Sequence, residues 1–98
     1  MQKITERYIE EQLVKTVKAH QGLCLKLNSI SLTGLPDRLV LLPGGKCAFV
    51  EVKRPGEKLR PIQVKRIKQL MQLGFLCYML DDLTQIVPII EEVTSSGV

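Results

Sequence analysis

The stretch Gly34-Leu35-Pro36-Asp37-Arg38-Leu39-Val40-Leu41-Leu42-Pro43-Gly44-Gly45-Lys46-Cys47-Ala48-Phe49-Val50-Glu51-Val52-Lys53 decides how this chain folds. It reads as two strands, Asp37 to Leu42 and Cys47 to Lys53, turned back on each other by Pro43-Gly44-Gly45. Side chains alternate along a strand, so Glu51 and Lys53 leave one face with Phe49 while Val50 and Val52 leave the other. Asp37 heads the partner strand. Two carboxylates and an ammonium at one end of a sheet suit a hard divalent cation and an activated water. A Glu-x-Lys on an antiparallel strand is more often a solvated ion pair. Phe49 on the same face argues for burial, and buried charge is expensive unless paired or bound to metal.

Outward from this hairpin the order is α-β-β-β-α-β followed by a C-terminal helical segment. Thr5 to Ala19 has helical periodicity, with His20-Gln21-Gly22 as its stop. Leu23, Leu25 and Leu27 alternate as a first strand, and Asn28 to Pro36 is a polar loop. Pro55-Gly56 ends the third strand. Pro61 suits the first turn of a helix reaching Leu73, with Gly74 as its stop. Phe75 to Leu80 is the last strand. Asp81 or Asp82 caps the final helix, which Pro88 should kink or divide.

At 100° per residue, Ile9, Leu13, Thr16 and Val17 form one stripe of the first helix. Glu11 falls on the solvated side with Arg7, Lys15 and Lys18, whereas Glu10 falls against the core. A carboxylate on an apolar stripe calls for a reason, and a metal site beneath the helix supplies one; Glu6, one turn earlier, competes for that role. In the second long helix Gln63 points between Ile67 and Leu70, while Lys65 and Lys68 point away. His20, the sole histidine, stands at a helix end, where it caps rather than catalyses.

Ninety-eight residues with 45% hydrophobic content suit one domain, residues 1–98, and leave no room for a second core. No apolar run approaches a membrane span, and the N-terminus has no signal-peptide profile, so an intracellular, cytoplasmic protein is expected. Cys24, Cys47 and Cys77 lack any C-x-x-C spacing and lie in apolar segments, which favours reduced core residues. Charge is uneven. Lys53, Arg54, Lys58, Arg60, Lys65, Arg66 and Lys68 are half of the 14 basic residues, and they fall within sixteen positions. A phosphodiester substrate requires such a band, because the carboxylates themselves repel phosphate. With only 4% aromatic residues a base-stacking single-strand platform has little support. The chain carries no phosphate-binding glycine loop and no nucleophile placed beside its histidine, so nucleotide binding and triad chemistry lack support.

Gly34-x-Pro36-Asp37-Arg38, then Phe49-Val50-Glu51-Val52-Lys53, then Gln63 resemble the PD-(D/E)xK nuclease superfamily. Within it the chain is similar to the VRR-NUC family, which includes stand-alone phage and bacterial proteins related to archaeal-type Holliday junction resolvases. The resemblance runs from about Ile9 to Tyr78. It implies an α/β, restriction-endonuclease-like core of αβββαβ order with a mixed sheet, and an origin in a phage or bacterium. It also implies that Gln63 hydrogen-bonds within the active site. A Glu three residues before a Leu in the first helix, the spacing of Glu10 and Leu13, matches the resolvase-like pattern.

The expected activity is hydrolysis of DNA phosphodiester bonds with Mg²⁺ or Mn²⁺. Asp37, Glu51, Glu10 and the Val52 carbonyl are the expected ligands; Lys53 and Gln63 complete the catalytic set. Arg38, Arg54, Lys58, Arg60, Lys65 and Lys68 are expected to hold flanking phosphates. The resemblance favours branched DNA, four-way junctions first, cut by a homodimer whose two-fold axis matches the junction. Leu83, Ile86, Val87, Ile89 and Ile90 offer a dimer interface, or else pack on the sheet. A flap- or nick-directed repair nuclease and a non-catalytic DNA-binding module are the alternatives.

Overall fold

The computed structural model describes residues 3–28 and 31–97. Helix α1 spans Glu6–Ala19, strands β1 and β2 span Leu23–Lys26 and Arg38–Leu42, and β3 spans Lys46–Val52. Helix α2 (Pro61–Gln72), strand β4 (Leu76–Leu80), a 3₁₀ turn (Leu83–Gln85) and helix α3 (Ile86–Ser95) follow. The four strands form one mixed sheet in the order β1-β2-β3-β4, with β1–β2 and β2–β3 antiparallel and β3–β4 parallel. This is the expected α/β core with its mixed sheet.

Local chemistry explains the ends. The Thr5 side chain accepts from the Tyr8 N–H at 3.1 Å, an N-cap that starts α1 one residue later than the periodicity suggests. At the other end the His20 ring bonds the Thr16 carbonyl at 2.8 Å. The chain turns through a left-handed Gln21 (φ 62°) rather than through Gly22. Gly22 is required for another reason: a Cβ there would lie 2.4 Å from the Leu41 carbonyl oxygen. Gly44 and Gly45, at φ 84° and 74°, make the β2–β3 turn.

One face of the sheet carries the core. Val40, Leu42, Ala48, Val50, Val52 and Leu80 are buried against Ile9, Leu13 and Val17 of α1 and against α3. Pro88 does not kink or divide the last helix. It lies in the first turn of α3, where backbone N–H groups have no intrahelical acceptor to lose, and the 3₁₀ turn capped by Asp82 precedes it. Ile86, Ile89 and Ile90 are buried in the monomer core, so they offer no interface; only Val87 of that stretch is exposed, with Leu83 half-buried. The three cysteines are free and half-buried rather than core residues. Cys24 packs against the core, whereas Cys47 and Cys77 lie on the opposite face because they alternate with Ala48 and with Leu76 and Tyr78. Among the described residues no helix is long and apolar enough to cross a membrane.

Helix α2 covers part of that opposite face. It begins where β3 ends and packs on β4, which places its first turn over Glu51.

Candidate active site

The approach to Asp37 is pinned before the strand begins. Gly34 sits at φ 84°, and a Cβ there would stand 2.7 Å from the Ile62 carbonyl oxygen, so the loop lies directly on the first turn of α2. Arg66 Nε donates to the Thr33 carbonyl at 2.7 Å, and Pro36 is fully buried. Asp37 is thereby delivered to the head of β2 facing the end of β3. There it makes a reciprocal lock. The Asp37 N–H donates to Glu51 Oε1 at 3.1 Å, and the Val52 N–H donates to Asp37 Oδ1 at 3.1 Å.

The other Glu51 oxygen is also engaged. Gln63 Nε2 donates to Glu51 Oε2 at 3.0 Å, and Lys53 Nζ stands 3.4 Å from the same atom. Gln63 Oε1 accepts from the Arg60 N–H at 2.9 Å. Arg60 is the N-cap of α2, so that bond satisfies an orphan helix-end donor. It also orients the amide, because its single oxygen is spent on Arg60 and the NH₂ must face Glu51. Glu51, Lys53 and Gln63 are 6%, 7% and 4% exposed, the three buried polar or charged residues among those described.

Asp37 Oδ2 differs from its neighbours, since none of the described hydrogen bonds reaches it. Among the described residues no buried side-chain polar atom lacks a partner, so this oxygen has access to solvent. Burial pushes the Asp37 carboxyl above its ordinary range; the Val52 N–H opposes the shift, and the charge of Glu10 adds to it. Burial also raises Glu51, then the charge of Asp37 adds, against the pull of Lys53. Two partly desolvated carboxylates thus confront one ammonium. Hard oxygen donors with uncompensated negative charge fit a divalent cation of the Mg²⁺ or Mn²⁺ type.

The remaining expected site residues divide. Glu10 Oε2 accepts from Lys26 Nζ at 2.7 Å and from Arg38 Nε at 2.8 Å. Burial pushes its carboxyl up, but these two bonds and charges outweigh burial and hold it below its usual value. Arg38 is accordingly no free phosphate ligand; it is half-buried and also donates to the Cys24 carbonyl at 3.2 Å. Among the described residues no three His, Cys, Asp or Glu side chains form a ready-made metal cage, so Glu10 stands apart from the Asp37–Glu51 pair. Glu6 is raised by partial burial, then by the charges of Glu57 and Asp37, with Lys53 opposing. Both helix carboxylates therefore lie within the field of Asp37. Val52 presents its N–H to Asp37. Arg54, Lys58, Arg60, Lys65 and Lys68 are all exposed.

Sequence reasoning missed Lys26, the clamp of Arg66 on Thr33, and the part that the Arg60 backbone plays. The last was detectable: Pro61 at the first helical position makes Arg60 the N-cap and Gln63 the third residue, where a Gln side chain reaches back to the N-cap N–H.

The model of the VRR-NUC domain family matches residues 2–81. "Putative nuclease p44" of Acyrthosiphon pisum secondary endosymbiont phage 1 is 44% identical over 90 residues, covering 90% of this chain and 97% of that protein. A solved structure titled "VRR_NUC domain" matches with a TM-score of 0.81 and 28% identity, over 90% of this chain and 97% of the other.

Proposed function

The chain belongs to the VRR-NUC domain family, and from that premise we propose that it is an endonuclease cutting DNA by metal-dependent hydrolysis, with four-way junctions as its foremost substrate. One observation carries the reading. Asp37 just before β2, Glu51 and Lys53 at the end of β3, and Gln63 of α2 converge into a single hydrogen-bonded cluster with one carboxylate oxygen left open to solvent. A merely structural ion pair needs neither the second carboxylate nor the amide clamp.

Asp37 and Glu51 would hold the cation, together with the Val52 carbonyl and Glu10. Glu10 is preferred to Glu6 because it stands three residues before Leu13, the first-helix spacing of the resolvase-like pattern. When bound, a divalent cation lowers the pKa of a water and offsets charge that develops on the phosphorus oxygens. The protein residues do the rest. The Val52 N–H and the Asp37 N–H fix the two carboxylates relative to each other, so little reorganisation accompanies reaction. Gln63 keeps Glu51 in place from the helix side. Lys53, the buried cation of the cluster, contacts the scissile phosphate and helps position the attacking water. Arg54, Lys58, Arg60, Lys65 and Lys68 hold flanking phosphates; such contacts give affinity and register without sequence information. A homodimer would present two matched sites to a junction.

The test is cleavage of four-way, flap and linear duplex DNA with Mg²⁺, with Mn²⁺ and with chelator. Metal-dependent cutting of the four-way substrate in preference to the others is expected. Equal cutting of flaps by a monomer would overturn the junction assignment and leave a repair nuclease. No cutting of any substrate by folded protein with metal present would leave a DNA-binding module.

A further inference from the structure

Asp37 stands just before β2, so the direction it faces depends on the chain that leads to it. Residues 31–36 supply that lead and form neither helix nor strand. Among the described residues a single hydrogen bond reaches this segment, from Arg66 Nε to the Thr33 carbonyl at 2.7 Å. The next residue, Gly34, is buried at φ 84°, where a Cβ would meet the Ile62 carbonyl at 2.7 Å and the Arg66 stem at 3.0 Å. Arg66 differs from its basic neighbours on α2, being half-buried while Lys65 and Lys68 are exposed. A second bond, from its Nη1 to Gln69 Oε1 at 2.7 Å, fixes the guanidinium from the helix side. Two of its three nitrogens are thus engaged by protein oxygens.

We infer that Arg66 is a positioning residue of the site rather than a phosphate ligand, acting through the Thr33 carbonyl on the segment that presents Asp37. Gln63 and Arg66 are three residues apart and therefore neighbours on the surface of α2. Gln63 holds Glu51 directly, and Arg66 with Ile62 holds the approach to Asp37. One helix thereby sets both carboxylates. The two supports meet where the Asp37 N–H donates to Glu51 Oε1 at 3.1 Å. The Leu27 and Val52 N–H groups tie Asp37 to the sheet from the other side, at 2.8 and 3.1 Å. What Arg66 adds is the path by which the chain arrives. A segment with one hydrogen bond regains conformational freedom once that bond is cut, and the strain of holding it passes to Asp37. Small misplacements of groups around a reacting centre lose rate out of proportion to their size. The kinetic consequence rests on the nuclease function proposed above, whereas the placement of Asp37 does not.

Two substitutions of the full chain separate donor from charge. Arg66→Gln removes the charge but keeps an N–H donor, since Gln Nε2 stands as many bonds from the backbone as Arg Nε. Arg66→Met removes charge and donor together. In the metal-free protein, amide exchange of the Asp37 N–H, followed by NMR, should accelerate about tenfold in Arg66→Met and recover toward wild type in Arg66→Gln. At saturating DNA and metal, kcat per folded molecule should fall about tenfold in Arg66→Met, with Arg66→Gln again recovering. Equal losses in both variants, with a salt slope of DNA binding smaller by about one unit, would make Arg66 a phosphate ligand and overturn the inference. So would an Arg66→Met protein whose Tm falls while its Asp37 exchange and kcat match wild type, which is the mark of a purely structural clamp. If Arg66→Met does not fold, Arg66→Lys, with a methylene where Nε stands, takes its place. A wild type that cuts no DNA removes the nuclease reading alone, because the exchange comparison still decides whether Arg66 holds Asp37.

Discussion

Replacing Gln63 separates a structural amide from a positioning one. Gln63→Ala removes a hydrogen bond to a charged acceptor, Glu51 Oε2, which contributes roughly 1.5–3 kcal/mol. It also removes the acceptor for the α2 N-cap N–H, a loss of about 1 kcal/mol. A domain of this size has a total stability of roughly 5–15 kcal/mol, so about 3 kcal/mol is a large share, and Tm should fall by roughly 12–24 °C. Gln63→Glu is the sharper perturbation. It keeps an oxygen for the Arg60 N–H but sets a second carboxylate about where Gln63 Nε2 now stands, 3.0 Å from Glu51 Oε2. Two carboxylates that close share one proton. The folded pKa of the pair then lies above that of the unfolded chain, so the folded state binds the extra proton more tightly. Stability is therefore fully present below the ordinary carboxylate range and falls as pH rises through the raised value. Urea unfolding of wild type and variant from pH 5 to pH 8 reads this directly. The variant should approach wild-type stability at the acid end and diverge above it, with cleavage lost throughout. A stability difference that does not change with pH would refute the placement of the Gln63 side chain against Glu51.

Further outcomes follow from the same geometry. Lys53→Ala should abolish cleavage while DNA affinity in a filter or fluorescence assay changes little, since one ammonium is removed from many phosphate contacts. Asp37→Asn should abolish cleavage yet stabilise the metal-free protein at neutral pH, because burial and the Glu10 charge disfavour the ionised Asp37. For the same reason the stability of the metal-free wild type should fall as pH rises from the ordinary carboxylate range through the raised values of Asp37 and Glu51. Mg²⁺ at a hundred times its Kd should restore about 2.7 kcal/mol, read as a higher urea midpoint. Glu10→Ala should lower activity more than Glu11→Ala, whose only described partner is the exposed Arg7; the reverse ranking would remove Glu10 from the site. Neutralising Lys65 and Lys68 together should reduce the log–log salt slope of DNA binding by roughly two units, and an unchanged slope would make that face solvation alone.

Local periodicity determined much of this protein. A period of two along β3 already separates Glu51 and Lys53 from Val50 and Val52, and a period of 3.6 along α2 already turns Gln63 inward and Lys65 and Lys68 outward. These are properties of a residue and its near neighbours, so no knowledge of the remaining chain is needed. Tertiary structure alone decided the rest. Glu10 is 28 positions from Arg38 and 16 from Lys26, and no local pattern says that an inward-leaning carboxylate will meet two cations there. The apolar run of α3 carries the same signal whether it packs on its own sheet or on a partner; here Ile86, Ile89, Ile90 and Val93 pack into the core with β3, β4 and α1. Conversely, Leu23 and Leu25 alternate like any buried strand face. Alternation tells which side chains share a face, and only the packing of α2 over the other half of the sheet leaves theirs bare.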